Sequence, residues 1–91
     1  MVKVIWSDRA IFNLNEIFHF IRSDDPAAAD QTAANLMAAA HSLEIFPNRG
    51  RPVRAKIREL VTVRPYIIRY RLEDDAIRIL FVRHAAQRRD T

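Results

Sequence analysis

The chain contains no cysteine, a single glycine (Gly50) and only two lysines, Lys3 and Lys56. Without cysteine there is no disulfide framework, no thiol nucleophile and no thiolate zinc site. One glycine and four prolines exclude collagen-like, linker-rich and low-complexity organisation. The longest uninterrupted apolar run is five residues, Leu36 to Ala40, against the roughly 20 that cross a bilayer. The N-terminus passes from Lys3 through Trp6 straight into charge at Asp8, with no secretory-signal core. The three histidines, His19, His41 and His84, are scattered rather than grouped as metal ligands. These absences predict a small cytoplasmic protein with no membrane segment, no metal and no cofactor.

What is present describes one globular domain over residues 1–91. A chain of 91 residues, 49% hydrophobic and 29% charged, buries enough surface for one core and too little for two. Its charge is polarised. Residues 1–48 hold three basic and six acidic side chains, a net of −3. Residues 49–91 hold twelve basic against five acidic, a net of +7. Thirteen of the fifteen basic residues are arginine, whose planar fork suits bidentate contact with carboxylate or phosphate. An acidic protein or a nucleic acid is the partner class this implies. A GC-rich genome would produce the same bias toward arginine.

Val2 to Trp6 is a short β-rich run. Ser7 then offers a capping oxygen, and Asp8 stands in the first turn of a helix. Ala10, Ile11, Leu14, Ile17, Phe18 and Ile21 recur at helical spacing and mark its inner face. Asp25 and Pro26 start a second helix, from about Pro26 to Glu44, with Ala29, Ala33, Leu36, Met37, Ala40 and Leu43 inward. Phe46 to Pro52 reads as a loop. Three strands follow: Ile57 to Val63, Tyr66 to Leu72, and Ala76 to Arg83 after the polar Glu73-Asp74-Asp75 turn. The order β-α-α-β-β-β predicts an α+β fold, a helical hairpin packed on one face of a mostly antiparallel sheet. Alternation puts Tyr66, Ile68 and Tyr70 under the helices, and Ile67, Arg69 and Arg71 on the open face. In the last strand the same rule places Ile77, Ile79 and Phe81 inward and Arg78, Leu80, Val82 and His84 outward. Trp6 and Phe46 read as core plugs, His19 as a solvent-facing or interhelix residue, and His41 as a surface residue.

The order and spacing of several segments resemble the RelE/ParE superfamily of bacterial toxins, and its ParE-like branch in particular. The resemblance runs through Trp6, Ala10 and Leu14, then Asp25-Pro26-Ala27-Ala28-Ala29, then Pro47 and Gly50-Arg51-Pro52. It continues through Arg58-Glu59-Leu60-Val61 and Pro65-Tyr66-Ile67-Ile68-Arg69-Tyr70-Arg71, and ends with Ile77 to Val82 leading into His84. The resemblance implies a curved antiparallel sheet. It also implies a cognate antitoxin, ParD-like or similar, that binds the toxin in a hetero-oligomer and carries it indirectly to promoter DNA. ParE-like relatives poison DNA gyrase, whereas RelE-like relatives cut messenger RNA on the ribosome.

RNA cleavage by 2′-oxygen attack needs a base, cationic stabilisation of the phosphorane, and an acid for the leaving oxygen. The resemblance nominates Glu59 as base, Arg51, Arg69 and Arg83 as phosphate clamps, and His84 as acid. Against this, cleaving relatives carry a tyrosine near the C-terminus, and no aromatic residue follows His84 here. Stacking on such a ring is worth about 1–3 kcal/mol per base. The lysines of a ribosome-engaging relative are also missing. The residues therefore favour a gyrase inhibitor that performs no bond chemistry, with Arg69, Arg71, Arg83, His84 and Arg88 as toxicity determinants. A messenger RNA endonuclease is the alternative, and a non-toxic member acting only in antitoxin binding and autoregulation is a third reading.

Overall fold

A computed structural model describes residues 2–87. Strand β1 (Lys3–Trp6) leads into helices α1 (Asp8–Arg22) and α2 (Pro26–His41), and a short 3-10 turn spans Ser42–Glu44. Strands β2 (Arg51–Arg54), β3 (Ile57–Leu60), β4 (Tyr66–Leu72) and β5 (Ala76–His84) complete the chain. The five strands form one sheet in the order β1-β5-β4-β3-β2. Neighbours are antiparallel except β1, which lies parallel to β5. The α+β architecture is the one expected, with one strand more. Arg51 and Pro52, assigned above to a loop, belong to the edge strand β2. The strand expected to reach Val63 stops at Leu60, and the helix expected to reach Glu44 stops at His41.

Both helices start where their caps place them. Ser7 has extended backbone angles and its hydroxyl accepts the Ala10 N–H at 3.0 Å. That hydroxyl also donates to the Leu80 carbonyl at 3.0 Å, which pins the start of α1 to β5. Asp25 caps α2 through the Ala28 N–H at 3.1 Å, with Pro26 at the first helical position. The core lies between the hairpin and one sheet face: Ala10, Leu36, Ala39, Ala40 and Leu43 pack on Leu60, Ile68, Tyr70, Ile77, Ile79 and Val82. Trp6 flanks this core, whereas Phe46 is exposed and plugs nothing. Ile11 and Met37, expected inward, are also exposed, because buried alanines bring the two helices together.

The last strand departs from plain alternation. Arg69 pairs with Phe81 but Tyr70 pairs with Ile79, so Leu80 has no partner and forms a bulge. One extra residue exchanges the faces of everything after it. Phe81 therefore points away from the helices, and Val82 and His84 point toward them, the reverse of the assignment above. Ile77 and Ile79, before the bulge, face the core as expected.

The loop before β2 is locked by one phenol. Tyr70 Oη donates to the Pro47 carbonyl at 2.7 Å and accepts the Gly50 N–H at 2.9 Å. Arg58 donates to the carbonyls of Asn48 at 3.2 Å and Gly50 at 2.7 Å. The chain's one glycine is required by this approach, since a Cβ on Gly50 would lie 2.7 Å from the Tyr70 ring and 2.9 Å from the Glu59 carbonyl oxygen. Burial pushes the Tyr70 phenol pKa up, against the opposing effects of the Gly50 N–H and the Arg58 charge. A raised phenol pKa means stability that is full below the ordinary tyrosine range and is lost as pH rises through the folded value. Tyr70→Phe strands two backbone groups and should cost about 1–3 kcal/mol in urea denaturation at neutral pH. The difference from the parent should shrink in alkali, because only the parent has a phenol to ionise.

Candidate functional site

The face of the sheet turned away from the helices carries the sequence-nominated arginines, but not as a bare basic surface. Cross-strand partners share a face, so Arg51, Glu59, Arg69 and Phe81 form one row from β2 to β5. Glu59 Oε2 accepts from Arg69 Nε at 2.9 Å and from Arg69 Nη2 at 2.7 Å. Side-chain exposure is 1% for Glu59 and 3% for Arg69. Arg51 reaches the other carboxylate oxygen of Glu59 at 3.4 Å with its own side chain 59% exposed. The guanidinium carbons of Arg9 and Arg69 lie 4.6 and 5.2 Å from the centre of the Phe81 ring, within cation–π range. Arg69 therefore does not project from the open face, as alternation had predicted. It is the buried member of a forked ion pair.

A second row lies one step along the strands. Arg71 and Arg78 are cross-strand partners, and both donate to Glu73 Oε2 at 2.9 Å. Hydrogen bonds from Arg78 and then Arg71 hold the Glu73 carboxyl below the usual range. Arg71 remains exposed. Arg83 shares this face, half-buried, with Nη1 near the carbonyls of His84 at 3.5 Å and Gln87 at 3.4 Å. Its Nε is buried with no hydrogen-bond partner among the described residues.

His84 lies on the opposite face. It pairs with Tyr66, and the two rings meet edge to face at 5.5 Å. Its Nδ1 accepts the Ala86 N–H at 3.0 Å, and its own N–H donates to Gln87 Oε1 at 2.9 Å. His84 borders an open cleft of about 400 Å³ shared with Asn13, Ile17, Phe20, Tyr66 and Val82. The structure thus brings Arg51, Glu59 and Arg69 together and separates His84 from them by the thickness of the sheet. Arg88 lies outside the described residues. No three His, Asp or Glu side chains among the described residues converge as a metal site. No helix among them is long and apolar enough to cross a membrane.

Sequence reasoning missed the apolar surface of α1. Phe12 and Phe20 are 59% and 76% exposed, and both lie off the inner stripe of that helix. Their signal was in the sequence: α1 carries more large apolar residues than one inner stripe accommodates, so some must face outward. Asn13 was missed too. Its Oδ1 accepts the Val82 N–H at 3.1 Å, satisfying β5 where β1 no longer reaches.

Residues 4–89 match the family model described as the ParE toxin of the type II toxin–antitoxin system parDE. The chain is 44% identical over 87 residues to toxin RelE2 of Caulobacter vibrioides, covering 96% of this chain and 99% of that protein. It is 33% identical over 89 residues to toxin RelE1 of the same organism, covering 94% and 96%. Its fold is similar to that of a chain in the chromosomal ParDE toxin–antitoxin system from P. aeruginosa, with a TM-score of 0.81 at 20% identity. That likeness covers 92% of this chain and 96% of the other.

The buried pair makes an asymmetric prediction. Glu59→Gln leaves the Arg69 guanidinium buried without its countercharge and should cost about 3–5 kcal/mol, read by urea denaturation. Replacing both, as Glu59→Leu with Arg69→Met, should recover most of that loss; a double variant as unstable as the single would refute the assignment. For Glu73 the folded pKa is depressed, so its contribution is present above the ordinary carboxylate range and is lost as pH falls through the folded value. Glu73→Gln should accordingly be less stable than the parent at neutral pH, with the gap closing in acid melts.

Proposed function

The chain belongs to the ParE toxin family of type II toxin–antitoxin systems, and from that premise we propose that it arrests growth by poisoning DNA gyrase without breaking any bond itself. The observation that carries this reading is the separation of Glu59 from His84. A base and an acid for RNA cleavage must flank one scissile phosphodiester, each within hydrogen-bond reach. Here the carboxylate is held by Arg69 on one face of the sheet and the imidazole lies beside Tyr66 on the other.

Binding rather than catalysis then assigns the roles. Arg71, Arg83, His84 and Arg88 supply charge and hydrogen bonds to the target, while Arg69 supports the outer sheet face that carries Arg71 and Arg83. The cognate antitoxin covers the exposed apolar residues of α1, chiefly Phe12 and Phe20, in the way an amphipathic segment fills an apolar groove. A partner of that kind also removes the exposed apolar side chains of α1 from water.

The deciding measurement is a supercoiling assay with antitoxin-free protein, gyrase, ATP and relaxed plasmid. Inhibited supercoiling with protein-linked linear DNA is expected, and Arg83→Ala combined with Arg88→Ala should relieve it. Unperturbed supercoiling by folded protein that still arrests cells would overturn the reading in favour of ribosome-bound message. If the folded protein arrests nothing when expressed without its antitoxin, the chain is a non-toxic regulator and the proposal fails outright.

A further inference from the structure

The edge of the sheet at β2 and the turn after it carry charge of one sign. Between Glu44 and Glu59 there is no acidic residue, and Arg49, Arg51, Arg54, Lys56 and Arg58 all fall in that interval. Arg58 is committed to the loop carbonyls of Asn48 and Gly50. The others line the outside. The Arg49 guanidinium donates to the Ser42 hydroxyl at 2.7 Å, and Arg49 shares an open cleft of about 500 Å³ with Arg64, Asn35 and Thr62. Arg51 is largely exposed beside Glu59. Arg54 and Lys56 are exposed, and no ion pair joins either to an acidic side chain among the described residues.

Lys56 has a left-handed backbone, φ 64°, in the two-residue turn between β2 and β3. Glycine or asparagine holds that conformation at lower cost, and a residue kept there against its preference points to use of its side chain. Charge on an edge strand also discourages pairing with other chains. Pro52 and the register shift between Pro52 and Arg54 already do that, and charges of mixed sign would serve equally. Blocking the edge therefore explains neither the uniform sign nor the strained lysine.

The chemistry of the partner follows from what the edge lacks. Protein interfaces centre on apolar or aromatic anchors; Ile11, Phe12, Phe20 and Met37 are exposed on the helices and Ile45 and Phe46 in the turn after α2, and none of these lies on β2 or the turn that follows it. Single-stranded nucleic acid is held by successive bases stacking on several aromatic rings, whereas residues 49–58 contain none and a single exposed ring, Phe46, stands before them, beside Arg49. A polyanion gripped through its backbone alone remains. We propose that the β2 edge binds the phosphate backbone of duplex DNA directly, through Arg49, Arg51, Arg54 and Lys56, without reading base sequence. This goes beyond gyrase inhibition and is measured with no gyrase present, so either proposal can fail without the other.

The test is fluorescence anisotropy of the full chain, freed of antitoxin, against a labelled mixed-sequence duplex of about 20 base pairs. Four phosphate contacts give a log–log salt slope of about −3.6, a loss of roughly a hundredfold in affinity between 50 and 200 mM salt. Arg54→Gln with Lys56→Gly should reduce that slope by about 1.8 and weaken binding at 50 mM at least tenfold. Because Lys56→Gly removes an unfavourable φ, thermal melting should show a fold at least as stable as the parent at that turn, which separates lost contacts from lost structure. Lys3→Gln with Arg22→Gln removes the same charge elsewhere and should leave affinity within about twofold and the slope unchanged. Equal weakening by both double variants would overturn the proposal, as would tighter binding to single-stranded RNA of the same length, or no salt-dependent binding at 50 mM.

Discussion

One extra residue in β5 decides what each face of this protein can do. Were Leu80 paired, alternation would carry Phe81 under the helices and send Val82 and His84 outward. With Leu80 bulged, Phe81 becomes the floor beneath Arg9 and Arg69, Val82 enters the core, and His84 joins the cleft beside α1. The bulge is held from α1 as well as from the sheet. The Ser7 hydroxyl that caps the helix donates its own proton to the Leu80 carbonyl, so the start of α1 and the change of face in β5 are a single event. A Ser7 substitution therefore acts on two structures, and the cost of a lost cap, typically about 1 kcal/mol, is a lower bound there.

Phe81 on the outer face in turn explains why an ion pair is buried there. A guanidinium beside an aromatic ring, on a face where Ile57 and Ile67 are also buried, is shielded from water. Its charge then needs a partner at short range. Glu59 supplies it through two hydrogen bonds to a single oxygen, leaving the other oxygen to Arg51. Such a pair adds little net stability over apolar residues of the same shape. What it does is withdraw two chemically capable groups from solvent. A carboxylate engaged by Arg69 is poorly placed to take a proton from a substrate hydroxyl, and an arginine engaged by Glu59 is poorly placed to clamp a phosphate. The other arginines of the outer face lie around this pair, Arg71 and Arg78 on Glu73 and Arg83 near the carbonyls of His84 and Gln87.

How much of this was legible in the sequence depended on whether the signal was local. Ser7 and Asp25-Pro26 announce helix starts because a cap acts within three residues, and both starts are found where they are announced. Tyr66, Ile68 and Tyr70 sort correctly because β4 is regular over its whole length. Leu80 could not be sorted, because a bulge is a property of the pairing between two strands and neither strand alone encodes it. Arg69 was misjudged for a related reason: its face was right, but its burial depends on Glu59 across the ladder and on the Phe81 ring that the bulge delivers. The strand β2 was hidden by Pro52 and by a register shift, the features that keep an edge from resembling an interior strand.

The polarity visible in the composition takes a spatial form in the fold. The acidic first half supplies β1, the helical hairpin and its exposed apolar side chains, whereas the basic second half supplies the four strands from β2 to β5. The exposed phenylalanines of α1 and the cations of the β2 edge are consequently on different elements, and an occupant of one need not displace an occupant of the other. A partner with only an apolar helix would cover Phe12 and Phe20 and leave Arg54 and Lys56 exposed. A partner that also carries carboxylates beyond that helix reaches both, and gains from charges that the hairpin alone does not offer. On the readings proposed above, a partner that silences both surfaces would be an amphipathic segment continued by an acidic one, since the apolar side chains of α1 and the cations of the β2 edge call for different chemistry.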